Sequence, residues 1–230
     1  MMSITNHKSL AKKVAGEEAA KLIQDQSIVG LGTGSTAYFF INALIRRCEE
    51  GLKIKAVSSS EASAKQAIAG GIEVIDLNEL AKIDVTVDGA DEIDPEKRMI
   101  KGGGGALLRE KIVASASDEM IIVIDESKVV SRLGAYPIPV EVNPFGYKLT
   151  KRRIETHGFR ATVREKEGKI YITDNGNYIL DLQYQHLSGS PEEHDQVLKS
   201  IPGILETGFF FGLAGRVIVG DSKGKVKIWT

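Results

Sequence analysis

The chain has 230 residues, 42% hydrophobic and 27% charged, a balance that supports a substantial core in one or two globular domains. Thirty Lys+Arg oppose 31 Asp+Glu for a formal net charge of -1, so no global field draws the chain to nucleic acid or an anionic membrane, and an anionic ligand must be held by local groups. Cys48 is the only cysteine, which excludes an internal disulfide framework and a cysteine-based structural zinc site and fits a reducing, cytoplasmic setting.

The leading segment, residues 1–20, is interrupted by Asn6, His7, Lys8, Lys12 and Lys13 and lacks the apolar core of a signal peptide. No apolar run approaches the ~20 residues of a membrane span. After an amphipathic helix over 8–24, the apolar run 27–31 ends in Gly32-Thr-Gly-Ser-Thr36, and a helical stretch continues to Cys48. That strand, glycine turn and helix are followed by apolar strands at 53–57, 72–75, 83–87 and 120–124, with a helix at 61–70. Strands alternating with helices predict a parallel sheet covered on both faces, an α/β, Rossmann-like arrangement.

From residue 136 the rhythm changes. Strands at 138–142, 160–164, 170–173, 178–183 and 204–209, with helices at 147–157 and 191–200, match a split βαββαβ unit with one additional short strand, a ferredoxin-like α+β domain. Asp174-Asn-Gly-Asn177 carries the Asn-Gly hairpin signal, and Ser190-Pro-Glu-Glu193 supplies an N-cap, a first-turn proline and acids at the positive helix end. Strands at 216–219 and 226–229 form a closing hairpin that returns to the first sheet. The expected domains are 1–133 plus 210–230 and 134–209.

Four segments can carry chemistry. Gly32-Thr-Gly-Ser-Thr36 offers backbone amides at a helix start and three hydroxyls, suited to a phosphate. It fits neither the dinucleotide fingerprint nor Walker A, and a plain tight turn is the structural alternative. Asp88-Gly-Ala-Asp-Glu-Ile-Asp94 follows a strand, which places Asp88 and Asp91 at its carboxyl end; paired carboxylates there can hold a metal or exchange protons with hydroxyls, and a simple acidic loop is the alternative. The spacing of a calcium loop is missing. Lys101-Gly-Gly-Gly-Gly105 precedes a helix at 106–117. Four glycines carry a heavy conformational entropy penalty that something must offset, and a cation with exposed amides suits a developing oxyanion; a hinge is the alternative. Glu110 shares its helix face with Leu107, Val113 and Ala114. Buried, it would be tuned to take a proton from carbon; exposed, it is an ordinary helix-start acid. Lys128 follows the strand at 120–124 and reads as a phosphate clasp or a solvated loop residue. His7, His157, His186 and His194 show no metal or triad spacing. Lys148, Lys151, Arg152 and Arg153 lack interleaved aromatics and do not indicate nucleic-acid binding.

Taken in order and spacing, Gly32-Thr-Gly-Ser-Thr36, Ala56-Val-Ser-Ser-Ser60, Val87-Asp-Gly-Ala-Asp-Glu92, Met99-Ile-Lys-Gly-Gly-Gly104, Arg109-Glu-Lys111 and Pro139-Val-Glu-Val142 resemble the ribose-5-phosphate isomerase type A family, as do Thr173-Asp-Asn-Gly-Asn177 and Ile201-Pro-Gly203. The resemblance implies interconversion of D-ribose 5-phosphate and D-ribulose 5-phosphate through an enediolate, with no metal or organic cofactor, in the non-oxidative pentose phosphate pathway. It implies that Glu110 is the base moving a proton between the second and first carbons. Lys101 with the amides of Gly102, Gly103 and Gly104 would stabilise the enediolate oxygen. Asp88 and Asp91, flanking Gly89 and Ala90, would handle hydroxyl protons and ring opening, while Thr33, Gly34, Ser35, Thr36 and Lys128 would contact substrate and phosphate. Gly105 departs from the family pattern without removing a functional group. A homodimer or homotetramer is implied, with the smaller domain as lid and subunit surface.

Two rival readings share this fold type. A sugar-phosphate sensor would need a DNA-binding segment, for which the chain leaves no room ahead of its first helix. An acyl-coenzyme A transferase with a glutamate nucleophile would need a larger cleft and leaves Asp88 and Asp91 unexplained.

Overall fold

A computed structural model describes residues 4–230; residues 1–3, which belong to the segment judged above for a signal peptide, lie outside the described residues. Helix α1 (Ile4–Lys21) leads to β1 (Ile28–Leu31), α2 (Ser35–Glu49), β2 (Lys55–Ser58), α3 (Glu61–Ala69), β3 (Glu73–Val74) and β4 (Ile83–Asp88). Short strands β5 (Glu92–Ile93) and β6 (Met99–Ile100) precede α4 (Leu107–Ser115) and the long β7 (Ser117–Asp125). Then come β8 (Ile138–Val142), α5 (Tyr147–Thr156), β9 (Arg160–Val163), β10 (Glu165–Lys166), β11 (Lys169–Ile170), β12 (Tyr178–Gln183) and α6 (Pro191–Lys199). The chain closes with β13 (Ile204–Thr207), β14 (Phe209–Phe210), β15 (Ala214–Gly220) and β16 (Val226–Trp229).

The chain divides into two compact units. One holds the chain through Ala90, Arg109–Val129 and Leu213–Thr230; the other holds Asp91–Leu108 and Val130–Gly212. Segment 91–108 groups with the second because β5 and β6 pair with each other and with β14 in a small antiparallel sheet instead of joining the large one.

The first unit is a seven-stranded sheet in the order β16-β15-β7-β4-β1-β2-β3, parallel except where β16 pairs with β15. Successive residues of a strand face opposite sides, and Ile121, Ile122 and Val123 are all fully buried, so both faces of the sheet are covered. Phe40, Ile41 and Leu44 of α2 and Ala15 and Ala19 of α1 supply one face of that core. The chain runs from β1 outward to β2 and β3, then returns to place β4 on the other side of β1. The sheet order therefore reverses between β1 and β4, the position where open α/β sheets bind ligands. Among the described residues no helix is long and apolar enough to cross a membrane.

The second unit is built on an antiparallel sheet in the order β13-β8-β12-β9, the ferredoxin-like arrangement of a βαββαβ unit, with α5 and α6 as its helices. Ser190 caps α6 with the full capping box to Glu193, as its sequence predicts. The strand before the Asn-Gly turn requires a correction. The strand expected over 170–173 stops at Ile170, leaving a lone bridge between Ile172 and Tyr178. Thr173 is the reason: its hydroxyl accepts from the Asn175 and Asn177 amides and donates to the buried Glu141, which also takes the Asn175 and Asn177 side chains. That polar knot bends the backbone away from a ladder. The Asp174-Asn-Gly-Asn177 segment still reverses the chain, the Thr173 amide donating to the Asn177 carbonyl at 2.9 Å, and a second, two-residue turn joins β10 to β11, where Glu167 and Gly168 both take positive φ, 54 and 73°.

Candidate active site

In the first unit, the end of β1 and the end of β4 bring Gly32 against Asp88, where a Cβ on Gly32 would collide with the Asp88 side chain and its Cα at 2.5 Å. Only glycine permits this approach. Asp88 Oδ1 accepts from the Thr33 amide at 2.9 Å and from the Gly89 amide at 2.7 Å, which fixes the carboxylate across the mouth of the turn. Thr33 and Ser59 hydroxyls lie 2.9 Å apart, Ser59 donates to the Leu31 carbonyl, and Ser63 donates to the Gly32 carbonyl at 2.7 Å. Ser59, quoted above only for resemblance, and Ser63 thus suspend the glycine turn. Gly34, at φ 102°, begins α2 without a side-chain cap, so Ser35 and the buried Thr36 open the helix with amides directed outward.

Lys12 of α1, which sequence reading passed over as one of several N-terminal lysines, donates to Ser35 Oγ at 2.8 Å and sets a cation beside this helix start. No motif marks it; only the packing of α1 on α2 brings it there. Lys128 is half-buried in the short 3-10 turn that follows β7, whose N-cap Asp125 accepts from the Ser127 amide. Glu110 is in the first turn of α4 and is 3% exposed; Val113 of the same helix packs with Val57 and Ile83. The buried alternative for Glu110 holds, and the surface alternative falls.

In the second unit, β6 delivers Lys101, whose amide donates to the Gly208 carbonyl at 2.9 Å and whose Nζ lies 5.2 Å from the centre of the Phe210 ring. The side chain is 1% exposed, within cation–π range of that ring. The loop after it is ordered. Gly102 and Gly105 take φ 98 and 86°, Gly103 donates its amide to Asp91 Oδ2 at 2.7 Å, and a Cβ on Gly103 would strike Asp91 and the Tyr136 hydroxyl. Tyr136 has its proton affinity raised, first by burial and then by the Asp91 charge. Arg164, which sequence reading did not single out, donates to the Gly102 and Gly103 carbonyls, and Tyr171 packs on Gly105.

The acids of the 88–94 run divide by role. Glu92 turns inward to accept the Gly134 and Tyr136 amides at 2.6 and 2.5 Å, and Asp94 accepts from the Glu96 and Arg98 amides and from Arg98 Nε. Both are structural. Asp88 and Asp91 instead accept from amides of the glycine turns, those of Thr33 and Gly89 in the first unit and that of Gly103 in the second. Among the described residues no group of three His, Cys, Asp or Glu could hold a metal ion.

Burying an ionised group costs several kcal/mol unless its surroundings are built for it. Asp88, Glu110 and Lys101 are each at least 97% buried: Asp88 held by the Thr33 and Gly89 amides and Glu110 on α4 in the first unit, Lys101 ahead of the glycine loop in the second. A buried carboxyl group can take up and return a proton, and a cation beside backbone amides can neutralise an oxyanion.

Comparison with known proteins bears on this chemistry. The family model for ribose 5-phosphate isomerase A (phosphoriboisomerase A) matches residues 55–224. Ribose-5-phosphate isomerase A of Protochlamydia amoebophila is 51% identical over 219 residues, 95% of this chain and 94% of that protein. The solved ribose 5-phosphate isomerase of Plasmodium falciparum is 33% identical with a TM-score of 0.93, covering 97% of this chain and 98% of that one. A solved D-ribose-5-phosphate isomerase in complex with phospho-erythronic acid is 37% identical with a TM-score of 0.90, covering 99% of each. Matched over most of its length in sequence and in fold, the chain belongs to the ribose 5-phosphate isomerase A family.

Proposed function

We propose that the chain interconverts D-ribose 5-phosphate and D-ribulose 5-phosphate with Glu110 as the base, and the observation that carries this is a glutamate 3% exposed in the first turn of the helix that follows Lys101 and four glycines. Family membership supports the reaction. In the open-chain aldose, the Glu110 carboxylate removes the proton on the second carbon as the electron pair moves toward the carbonyl of the first. Negative charge then develops on the first oxygen. Carbon acidity depends on stabilising that charge, which is the task of Lys101 and the amides of the Gly102–104 loop. Glu110 returns its proton to the first carbon while the hydroxyl proton passes from the second oxygen to the first, giving the ketose with no net change in protons. Asp88 and Asp91, fixed by the amides of Thr33, Gly89 and Gly103, serve the hydroxyl protons and ring opening.

The phosphate falls to the Thr33–Thr36 turn and Lys128, with Lys12 beside Ser35 as an added cation. The relative solved with phospho-erythronic acid, a phosphorylated sugar acid, supports a sugar phosphate as ligand. A homodimer or homotetramer belongs to the same reading, supported by Phe145, Leu149 and Leu205, large apolar side chains of the second unit that are 92%, 54% and 44% exposed. The lone thiol Cys48 supports a cytoplasmic location.

The test is to incubate purified protein with ribose 5-phosphate and a chelator and follow ketose formation, beside Glu110→Gln. Turnover in chelator and a loss of at least about 1,000-fold in kcat for the variant are expected, because the amide cannot accept the proton. Chelator-sensitive turnover, or a glutamine variant at the parent rate, would overturn the mechanism.

A further inference from the structure

Four consecutive glycines should be mobile, yet 102–105 is an ordered loop, and the groups that order it come from far along the chain. Arg164, just past β9, reaches the Gly102 carbonyl at 2.9 Å and the Gly103 carbonyl at 3.2 Å through one nitrogen, Nη1. Its opposite edge is occupied. Nε donates to Asp181 Oδ2 at 2.9 Å and Nη2 to Asp181 Oδ1 at 2.5 Å, a two-point fork that leaves the guanidinium plane no freedom to rotate. Asp181 stands on β12, the neighbour of β9, so the clamp is fixed by the sheet register of the second unit. The Arg164 and Asp181 side chains are only 14% and 22% exposed.

A trans peptide points its carbonyl and its amide in opposite directions. Holding the Gly102 carbonyl therefore sets the direction of the Gly103 amide, which is the amide that orients Asp91 at 2.7 Å. Holding the Gly103 carbonyl sets the Gly104 amide in the same way. A guanidinium on both carbonyls also polarises the two peptides and makes their amides better donors to a developing negative charge.

We infer that Arg164, locked by Asp181, is a positioning residue for the isomerisation, which sets the amides of Gly103 and Gly104 and, through Gly103, the Asp91 carboxylate. This rests on the isomerase reading of the site. Its contribution is made as charge develops, so its loss lowers kcat and leaves KM nearly untouched. Lysine cannot replace it, since an ammonium cannot bridge two carbonyls and a carboxylate from a fixed plane.

The experiment uses the full chain with Arg164→Gln, Arg164→Lys, Arg164→Ala and Asp181→Asn. Rates with ribose 5-phosphate are measured beside amide hydrogen exchange of Gly103 and Gly104 by NMR. Expected are a fall in kcat of about 100-fold for Arg164→Gln and Arg164→Lys with KM within about threefold, a smaller fall of about 10-fold for Asp181→Asn, and partial recovery of Arg164→Ala by added methylguanidinium. The Gly103 and Gly104 amides should exchange at least about 10-fold faster in each variant that folds. Unchanged kcat in Arg164→Gln, or a loss confined to KM, overturns the inference while leaving Glu110 as base intact. Unchanged exchange at both amides overturns it whether or not the parent protein isomerises the sugar. Asp181→Asn keeps the test open if Arg164 variants fail to fold, because it loosens the clamp without removing the cation.

Discussion

Two glycine turns, one in each unit, are held by different means. Gly32 is held by its own sheet: the Gly32 amide bonds the Val87 carbonyl, Asp88 closes the turn, and Ser59 and Ser63 come from the next strand–helix unit along the chain. Gly102 and Gly103 are held by side chains roughly sixty residues later, Arg164 above all. A turn built from strand register is inseparable from the stability of its sheet. A loop fastened by side chains can be loosened while the fold survives.

The sharpest way to break this contrast is to place the same methyl group in each turn. In Gly32→Ala the new carbon meets Asp88 backbone as well as side chain, and backbone in a parallel sheet cannot move aside. Overpacking of this kind costs about 3 kcal/mol, which lowers Tm by roughly 6–12 °C in a chain of this size, and activity falls with it. In Gly103→Ala the carbon meets the ends of the Asp91 and Tyr136 side chains, which can rotate. Here Tm should stay within about 2 °C while kcat drops roughly 10–100-fold, because a displaced Asp91 is no longer set by the Gly103 amide. Calorimetry and steady-state rates on the two variants check both halves. Equal losses of Tm would erase the distinction.

The same contrast explains what the sequence revealed. The Gly32 turn, Asp88 at a strand end, Glu110 after the four glycines and the Ser190 capping box are local patterns, and each lies where its spacing indicates. The four glycines announced that something must offset their entropy, but nothing near them named Arg164. Arg164 and Asp181 meet only because β9 and β12 are neighbours, and that register is absent from either segment alone. Glu141 is similar: its strand is an apolar run with one acid, and only the folded loop shows that acid gathering Thr173, Asn175 and Asn177. In the 88–94 run, Asp88 and Asp91 were legible as the candidate pair, but the tasks of Glu92 and Asp94, which gather the backbone amides of Gly134, Tyr136, Glu96 and Arg98, show only in the fold.

Acid should separate the two units as well, by a smaller margin. His194 of α6 is packed between the rings of Phe159 and Tyr184, at 5.6 and 5.4 Å, and its buried Nε2 has no hydrogen-bond partner. Burial lowers its proton affinity from the ordinary 6.5, with Glu193 opposing and Arg132 adding to the shift. The unfolded chain then binds a proton at higher pH than the folded one, so the second unit loses stability as pH falls below about 6.5. In the first unit, Glu119 is forked to Arg216 at 2.6 Å twice, and the Arg216 hydrogen bonds hold its carboxyl below the ordinary 4.5. The stability this pair contributes is complete above pH 4.5 and is lost only as pH falls through the lower, folded value. Amide exchange between about pH 7 and 5 should therefore show protection weakening in β8 and β12 before β4 and β7, and His194→Leu should flatten that trend. If β4 and β7 weaken first, or if the leucine variant keeps the parent slope, His194 is not what makes the second unit the acid-labile one.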